Sequence, residues 1–373
     1  MPLLMAFRRW WALFFVALLT LPTIGLVAPD MPGPMRTVLE PEVRWWEHAS
    51  ERLDPYINNS FGFRGAVLAA HQRYLRFIDA PQGERVLQGE NGTLFIRDNH
   101  ALEQSIGHLV RPEMIRAFVA YARSLDDQVS ALGGRFVVLI PPNAHTVNLA
   151  ELPAYARRQK QTPTEYDLIA AALAADKVPF VDLRPLLAAA GAQGRTYFRY
   201  DTHWNERGAL IAFNAAMAAV GRPDLEVAAS AALGPAAVKP GGDLLRLGGL
   251  DHRDPPDQRY PWRAPFTKPE NLAPIPGLVQ GPENKVFITE AATTGHAGPR
   301  IMVAGDSFTQ SFWAGLLAAQ SSAFVWTHHQ GCQFDRGLID RFRPDILIYA
   351  PTERFVPCQK RPLSEIITTD GAR

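Results

Sequence analysis

The stretch "RIMVAGDSFTQSF" (300–312) decides the fold class, because it joins an apolar strand pattern to a helical pattern through a tight turn. Residues 301–304 are apolar, Gly305 and Asp306 permit the turn, and the apolar residues after Ser307 recur at helical spacing. Ser307 is thus placed at the carboxyl end of a strand and at a helix N-terminus. Its hydroxyl is expected to be exposed there, beside backbone N–H groups that stabilise a developing oxyanion. Ser307 is therefore the candidate nucleophile, although Asp-Ser is also ordinary chemistry for the start of a helix.

Strand and helix patterns alternate along the chain on both sides of this stretch. The apolar runs that predict strands are residues 135–140, 178–183, 300–305, 322–328 and 344–350. The segments that predict helices are residues 112–134, 162–177, 205–221, 308–320 and 333–342. This alternation predicts an α/β fold with a parallel sheet flanked by helices. In such a sheet, functional sites form in the loops that leave the carboxyl ends of the strands.

A serine hydroxyl is a poor nucleophile unless a base, usually a histidine held by a carboxylate, accepts its proton. The stretch "YDTHWNERGA" (200–209) supplies both groups in front of a predicted helix. We expect Asp201 to orient His203, and His203 to deprotonate Ser307. The alternative is that this stretch is only a polar helix start, since an aspartate at that position is commonly a cap.

Composition excludes several classes of protein. The chain has 373 residues and a net charge of +1, and no Lys/Arg-rich run occurs in it, which argues against a nucleic-acid-binding protein. No Cys/His cluster has metal-ligand spacing, so we expect no metal site. Prolines are concentrated in residues 222–285, which predicts an irregular insertion within the catalytic domain.

The N-terminus predicts a membrane anchor over residues 1–30. Arg8 and Arg9 precede "WWALFFVALLTLPTIGLVA", and no charge follows until Asp30. A run of this length is about the minimum for a membrane-spanning helix, and the arginines favour a cytoplasmic N-terminus. A cleavable signal peptide is the alternative, but Pro29 follows the best cleavage sequence. We therefore expect residues 31–111 to form a juxtamembrane segment that also enters the catalytic domain, and residues 112–373 to form the catalytic domain itself, both outside the cytoplasm.

The chain contains two cysteines, Cys332 and Cys358. A disulfide is plausible in an exported protein, and two unpaired thiols are the alternative. The first cysteine is expected at the beginning of the helix at 333–342, and the second follows the strand at 344–350. If the strands before them are parallel neighbours, both cysteines lie at the same edge of the sheet.

Several short motifs, taken together and in order, resemble the alginate O-acetyltransferase AlgJ/AlgX family, whose domain is similar to the SGNH hydrolases. These motifs are "NNSFGFRGAV" (58–67), "VLQGENGTLF" (86–95), "DTHWNERGA" (201–209), "KPGGDLLRL" (239–247), "GDSF" (305–308) and "ERF" (353–355). The Asp-His pair precedes the serine, as in that family and unlike most SGNH hydrolases. Two departures are Thr93 in place of a tryptophan and Asn143 in place of a lysine. A short C-terminus after "ERF" is similar to the AlgJ branch.

The resemblance implies a periplasmic O-acetyltransferase, held by a single span in a bacterial inner membrane and acting on an exopolysaccharide. It implies no bound cofactor: a multipass membrane O-acyltransferase, working with other polymer-export proteins, would supply acetyl groups that come ultimately from acetyl-CoA. The Ser307 N–H would contribute to the oxyanion hole, with Asp306, Gly242 and Asn143 as candidates for further support. Trp204, beside the base, is a candidate for stacking on a sugar ring or for anchoring the following helix in the core.

Two other functions are compatible with the same residues. One is a polysaccharide acetyl esterase that uses the same triad with water as the acceptor. The other is a non-catalytic polysaccharide-binding assembly protein, which the intact set of Asp201, His203 and Ser307 argues against. The sequence does not specify which polysaccharide is modified.

Overall fold

The computed structural model describes residues 10–17, 20, 70, 85–250, 255–278, 289–356 and 358. The chain divides into the units Met1–Gln82 and Gly83–Arg373. Most of the predicted anchor and juxtamembrane segment lies outside the described residues, although residues 10–17 are helical. Within the described parts of the chain, we find no helix long and apolar enough to span a membrane. The fold below is that of the second unit, which begins ahead of the expected boundary at residue 112.

The second unit is an α/β fold around a seven-stranded sheet with the order β4-β3-β11-β9-β10-β8-β7. The strands are β1 Val86–Gln88, β2 Leu94–Ile96, β3 Arg135–Leu139, β4 Phe180–Val181, β5 Ala237–Lys239, β6 Asp257–Arg259, β7 Ala273–Pro274, β8 Thr289–Thr293, β9 Arg300–Gly305, β10 Ala323–His328 and β11 Ile346–Ala350. The five strands β4, β3, β11, β9 and β10 run parallel. The prediction of an all-parallel sheet is wrong at one edge, where β8 and β7 pair antiparallel.

The helices are short apart from those that cover the sheet. They are α1 Ala101–Ser105, α2 Pro112–Ala131, α3 Ala144–Val147, α4 Ala154–Arg158, α5 Glu165–Ala175, α6 Leu183–Gly191, α7 Glu206–Ala219, α8 Ala229–Ala232, α9 Asp243–Leu247, α10 Ser307–Gln320 and α11 Gly337–Phe342. The predicted strand at 178–183 is confined to Phe180–Val181, because Asp182 caps α6 by accepting the N–H of Arg184.

Side chains alternate between two hydrophobic cores on opposite faces of the sheet, as the period of two in a strand requires. Val137, Ile301 and Val303 face the core that α7 and α10 cover. Met302 and Leu347 face the core that α2, α5 and α11 cover. Both faces of the parallel strands are therefore buried, which explains why these strands are continuous apolar runs.

Capping residues set where the main helices begin. Thr164 and Asp167 form a reciprocal capping box at the start of α5. Asn205 accepts the N–H groups of Arg207 and Gly208 at the start of α7. Gly221, at a φ of +68°, follows the end of α7. The cap at Asn205 and the stop at Gly221 agree with the predicted segment 205–221, whereas α5 begins only after Thr164, inside the predicted segment 162–177.

The proline-rich segment 222–285 is more regular than its composition indicates. It contains α8, α9 and an antiparallel ribbon of β5 and β6, and it supplies β7 to the main sheet. Asp257 on this ribbon accepts the N–H groups of Arg199 and Tyr200 at 2.7 and 3.0 Å. The segment is thereby fixed to the chain just ahead of Asp201.

A disulfide joins Cys332 to Cys358, with the Cα atoms 5.2 Å apart. Cys332 lies in the loop after β10 and not at the beginning of a helix, because α11 begins only at Gly337. The strands β10 and β11 are not direct neighbours, since β9 lies between them. Both strands run parallel to β9, so the loops after them leave the same edge of the sheet.

Replacing both cysteines, as Cys332→Ser with Cys358→Ser, is expected to lower the free energy of unfolding by about 3 kcal/mol. The cross-link spans a sequence separation of 26 and restricts the unfolded chain. Urea unfolding of the oxidised protein and of the double variant measures the difference. Wild-type protein under reducing conditions is the control and should match the variant. Equal stability of all three samples would contradict the prediction.

Candidate active site

Ser307 lies at the junction of β9 and α10, as the first residue of the helix. Asp306 is the N-cap: its Oδ1 accepts the Phe308 N–H at 3.1 Å. Its Oδ2 accepts the N–H of Thr352, from the loop after β11, at 2.8 Å. Gly305 is required by space, because a Cβ there would lie 2.3 Å from Thr309 Oγ1. The turn that presents Ser307 is thus fixed to the neighbouring strand.

Asp306 remains ionised in a buried position. Burial raises the pKa of its carboxyl, but the contacts with His329, Thr352 and Arg354 outweigh burial and lower the pKa below its ordinary value. A negative charge at this cap also interacts favourably with the positive end of the α10 dipole. Asp306 therefore supports the turn and does not face an oxyanion at Ser307.

The segment between α6 and α7 brings an imidazole to the serine. His203 Nε2 lies 2.8 Å from Ser307 Oγ, and Nδ1 lies 2.7 Å from Asp201 Oδ1. The His203 side chain is 18% exposed and that of Asp201 is 15% exposed. This is the order of contacts that a Ser-His-Asp triad requires, in which Nδ1–H donates to the carboxylate and Nε2 accepts from the hydroxyl. The structure thus brings together the three residues that the sequence singled out.

Trp204 is part of the core, so of the two roles considered for it the structure supports the anchoring of the following helix and not the stacking on a sugar ring. Its side chain is 0% exposed. The indole Nε1–H donates to the Phe308 carbonyl at 3.0 Å, and the ring stacks on Trp313 with centroids 6.3 Å apart. Trp204 cannot reach a glycan, because the packing of α7 against α10 covers it on all sides. It anchors the helix that follows the base.

Two charged residues of the site were not identified from the sequence. Lys239 Nζ donates to Asp201 Oδ2 at 3.1 Å. Asp243 accepts the N–H of Thr202 at 2.8 Å, and its Oδ2 lies 3.7 Å from His203 Nδ1. Both belong to the motif "KPGGDLLRL", whose paired glycines between a lysine and an aspartate were the available signal. They place the proline-rich segment directly against the carboxylate side of the imidazole.

Asp201 carries a stable negative charge in this setting. Burial raises the pKa of its carboxyl, but the hydrogen bond from His203 and the charge of Lys239 lower it by a larger amount. The pKa of Asp201 is therefore well below its ordinary value. The carboxylate therefore remains ionised and available to hold the imidazole throughout the neutral range.

Gly242 and Asn143, the two remaining candidates for oxyanion support, make contacts with other parts of the fold. A Cβ on Gly242 would be 2.0 Å from the Tyr200 carbonyl oxygen, so this glycine packs behind the segment that carries Asp201. The backbone N–H of Asn143 donates to Glu353 Oε2 at 2.7 Å, and its side chain contacts Ser105 and Arg354. Neither contact set includes Ser307. Their contribution to an oxyanion hole stays a prediction, because a donor there would face a substrate oxygen and not Ser307 itself.

The ligand atoms of Asp201, His203 and Asp243 lie within 4.8 Å of one another, which is compatible with metal spacing. Protein donors already bind these groups: Asp201 accepts from His203 and Lys239, and Asp243 accepts from Thr202. The cluster is a hydrogen-bonded charge network, and we assign no metal to it.

Comparison with known proteins places this geometry in context. Residues 86–343, which include all three residues of the hydrogen-bonded triad, match the family described as an SGNH hydrolase-like domain of the acetyltransferase AlgX. No curated protein sequence matches the chain significantly.

Solved structures that resemble this chain have low sequence identity to it. Bacillus cereus PatB1 with a sulfonyl adduct is 13% identical, with a TM-score of 0.52 over 73% of this chain and 95% of that chain. A DHHW family protein from Eubacterium siraeum is 14% identical, with a TM-score of 0.51 over 75% of this chain and 93% of that chain. The O-acetyltransferase domain of Pseudomonas putida AlgJ is 19% identical, with a TM-score of 0.46 over 78% of this chain and 100% of that chain.

Trp204→Ala is expected to lower the free energy of unfolding by about 3–5 kcal/mol, because it empties a fully buried site. Urea unfolding measures the loss. Phe312→Ala, on the partly exposed side of α10, is the matched control and should cost clearly less. If the two substitutions cost the same small amount, Trp204 is not the anchor described here.

Proposed function

The chain belongs to the family of SGNH hydrolase-like acetyltransferase AlgX domains, and from this premise we propose that it is an exopolysaccharide O-acetyltransferase that works through an acetyl-serine at Ser307. The observation that carries the proposal is the continuous line of hydrogen bonds from Asp201 through His203 to Ser307. A nucleophile, a base and an orienting carboxylate are then in contact before any substrate binds.

In the first step, Ser307 Oγ attacks the carbonyl carbon of an acetyl donor while His203 Nε2 takes the hydroxyl proton. The developing oxyanion is stabilised by the N–H of Ser307, at the N-terminus of a 14-residue helix whose first N–H groups have no partner within the helix. His203 then gives its proton to the leaving group of the donor. Asp201 stabilises the imidazolium that exists between these two transfers.

In the second step, a hydroxyl of the polymer gives its proton to His203 Nε2 and attacks the acetyl-serine. The ester bond to Ser307 breaks as the new ester bond forms, and the proton returns from His203 to the serine oxygen. The same base therefore serves both half-reactions, and the enzyme is regenerated without a bound cofactor.

The donor and the location follow from the family resemblance and from the N-terminal sequence. We place the catalytic unit in the periplasm, held by the apolar run after Arg8 and Arg9 as a single-pass anchor in the inner membrane. A multipass membrane O-acyltransferase would supply acetyl groups that come ultimately from acetyl-CoA.

Ser307→Ala, His203→Ala and Asp201→Ala are each expected to lower acetyl transfer by about a thousandfold or more, because each removes one member of a proton-transfer unit. The double variants should be little worse than the single ones, since the three residues act together. Acetylation of a panel of oligosaccharides with a chromogenic acetyl ester as donor, followed by mass spectrometry, measures the rates.

The matched control is Ser311→Ala, which removes an exposed hydroxyl from the same helix and should leave the rate unchanged. Full transfer by a folded Ser307→Ala protein would refute the acetyl-serine mechanism. Loss of activity in the control as well would show that the assay reports folding and not chemistry.

A transferase must hold its sugar acceptor in attack geometry, because water competes for the acetyl-serine. Well-oriented groups reach effective molarities of about 10⁵–10⁸ M, which is enough to exceed water. The position of Phe312 is consistent with a site for the sugar acceptor beside the base. Its side chain is partly exposed, and its ring centroid lies 6.2 Å from that of His203. Its neighbours Phe198 and Phe308 are buried, so Phe312 presents the accessible aromatic edge.

Phe312→Ala is expected to lower polymer acetylation by about tenfold while changing chromogenic-ester cleavage by less than about twofold, since loss of a stacking contact of about 1–2 kcal/mol affects only the acceptor. Both rates are measured on the same preparation. Equal loss of the two activities would mean that Phe312 only supports His203. Release of free acetate that added oligosaccharide does not reduce would favour an esterase instead.

A further inference from the structure

The outer oxygen of Asp201 is also hydrogen-bonded, at longer distances than the inner one. While Oδ1 faces His203, Oδ2 accepts from Lys239 Nζ at 3.1 Å and from the backbone N–H of Asp243 at 3.4 Å. Lys239 is itself held in place, because it donates to the Gly241 carbonyl at 3.2 Å and lies 4.6 Å from the centroid of the Phe198 ring. Its side chain is only 20% exposed, so its charge is poorly screened by solvent.

Asp243 is a second carboxylate on the same side of the imidazole. Its Oδ1 accepts the Thr202 N–H at 2.8 Å, and its Oδ2 accepts the Thr202 hydroxyl at 2.5 Å. That Oδ2 also lies 3.7 Å from His203 Nδ1, against 2.7 Å for the oxygen of Asp201. The proton on Nδ1 therefore faces two carboxylates, one in direct contact and one a little farther away.

The charges that face His203 come from four parts of the fold. Asp201 lies on its own segment, Asp243 begins α9, and Lys239 ends β5. Arg354, in the turn after β11, lies 5.3 Å from the centroid of the Phe308 ring, and that ring packs 4.9 Å from the imidazole. Arg354 also interacts with the buried carboxylate of Asp306, so the charges nearest His203 Nδ1 are the two aspartates and the lysine bound to Asp201.

We propose that Lys239 and Asp243 are positioning residues that change the electrostatic environment of the His203 imidazole in opposite directions. Lys239 orients Asp201 and offsets its charge, while Asp243 adds negative charge beside Nδ1. The kinetic consequence rests on the proposed acetyl-serine chemistry, but the electrostatic effect on the imidazole does not.

The direction of each effect follows from the sign of the charge removed. A positive charge near the ring disfavours the imidazolium, so removing Lys239 makes His203 easier to protonate. A negative charge favours the imidazolium, so removing Asp243 makes His203 harder to protonate. Because only the neutral imidazole accepts the serine proton, the acidic limb of the pH profile moves up in the first variant and down in the second.

The test uses the full-length protein with Lys239→Met, which keeps the apolar stem over Phe198, and Asp243→Asn, which keeps an acceptor for Thr202. The rate at which phenylmethylsulfonyl fluoride labels Ser307 is followed by intact-protein mass spectrometry as a function of pH. We expect the midpoint of the acidic limb to rise by about one pH unit in Lys239→Met and to fall by about one unit in Asp243→Asn. Lys239→Arg should restore the wild-type midpoint.

A second measurement does not depend on serine reactivity. Imidazole signals of isotope-labelled histidine are titrated by NMR, and His203 is identified as the signal that His203→Gln removes. Midpoints that stay at the wild-type value in both variants, or that move in the same direction, would overturn the inference. If wild-type Ser307 is not labelled at all, the proposed function fails while the NMR titration still decides the role of the two residues. If either variant does not fold, Lys239→Gln and Asp243→Ser replace it.

Discussion

The site depends on the way two tryptophans tie α7 to α10. Trp204 Nε1 donates to the Phe308 carbonyl and Trp313 Nε1 donates to the Ala209 carbonyl, both at 3.0 Å. The two rings stack with an interplanar angle of 18°. His203 directly precedes Trp204, and Ser307 directly precedes Phe308. The hydrogen bond between base and nucleophile is therefore set by packing in the solvent-excluded core. This packing holds the two segments at a fixed distance, although His203 and Ser307 are 104 residues apart in the chain.

Buried carboxylates also hold separate segments together, at the edge of the sheet where the parallel strands end. Asp306 accepts the N–H of Thr352, and Glu353 accepts the N–H of Asn143, so three loops after parallel strands are bound to one another. Burial raises the pKa of Glu353 to about 7, against the lowering effect of its hydrogen bonds from Asn143 and Thr146. Such groups are costly to bury and stabilise the structure only when their hydrogen bonds are complete. Their contacts fix loops that would otherwise move relative to Ser307.

The proline-rich segment 222–285 contributes charged groups to the site. It carries no member of the triad, yet its ribbon and α9 supply the groups that surround Asp201. The main sheet and its helices thus present the nucleophile, and the ribbon and α9 of the proline-rich segment place charged groups next to the base.

Sequence alone determined the local units of this protein: the strand, turn and helix around Ser307, the helix at 205–221, and the pairing of Asp201 with His203. These features depend on residues a few positions apart, and their periodicity and capping patterns can be recognised in the sequence. The tertiary structure alone decided that Trp204 is buried, that two edge strands are antiparallel, and that Lys239 and Asp243 reach the imidazole. Each of these depends on contacts between segments that are distant in the chain, and the free energy of such contacts comes from burial and charge in the assembled fold. A tryptophan beside a base has the same local pattern whether it faces a sugar or a helix, and only the packing of α10 over it excludes the sugar.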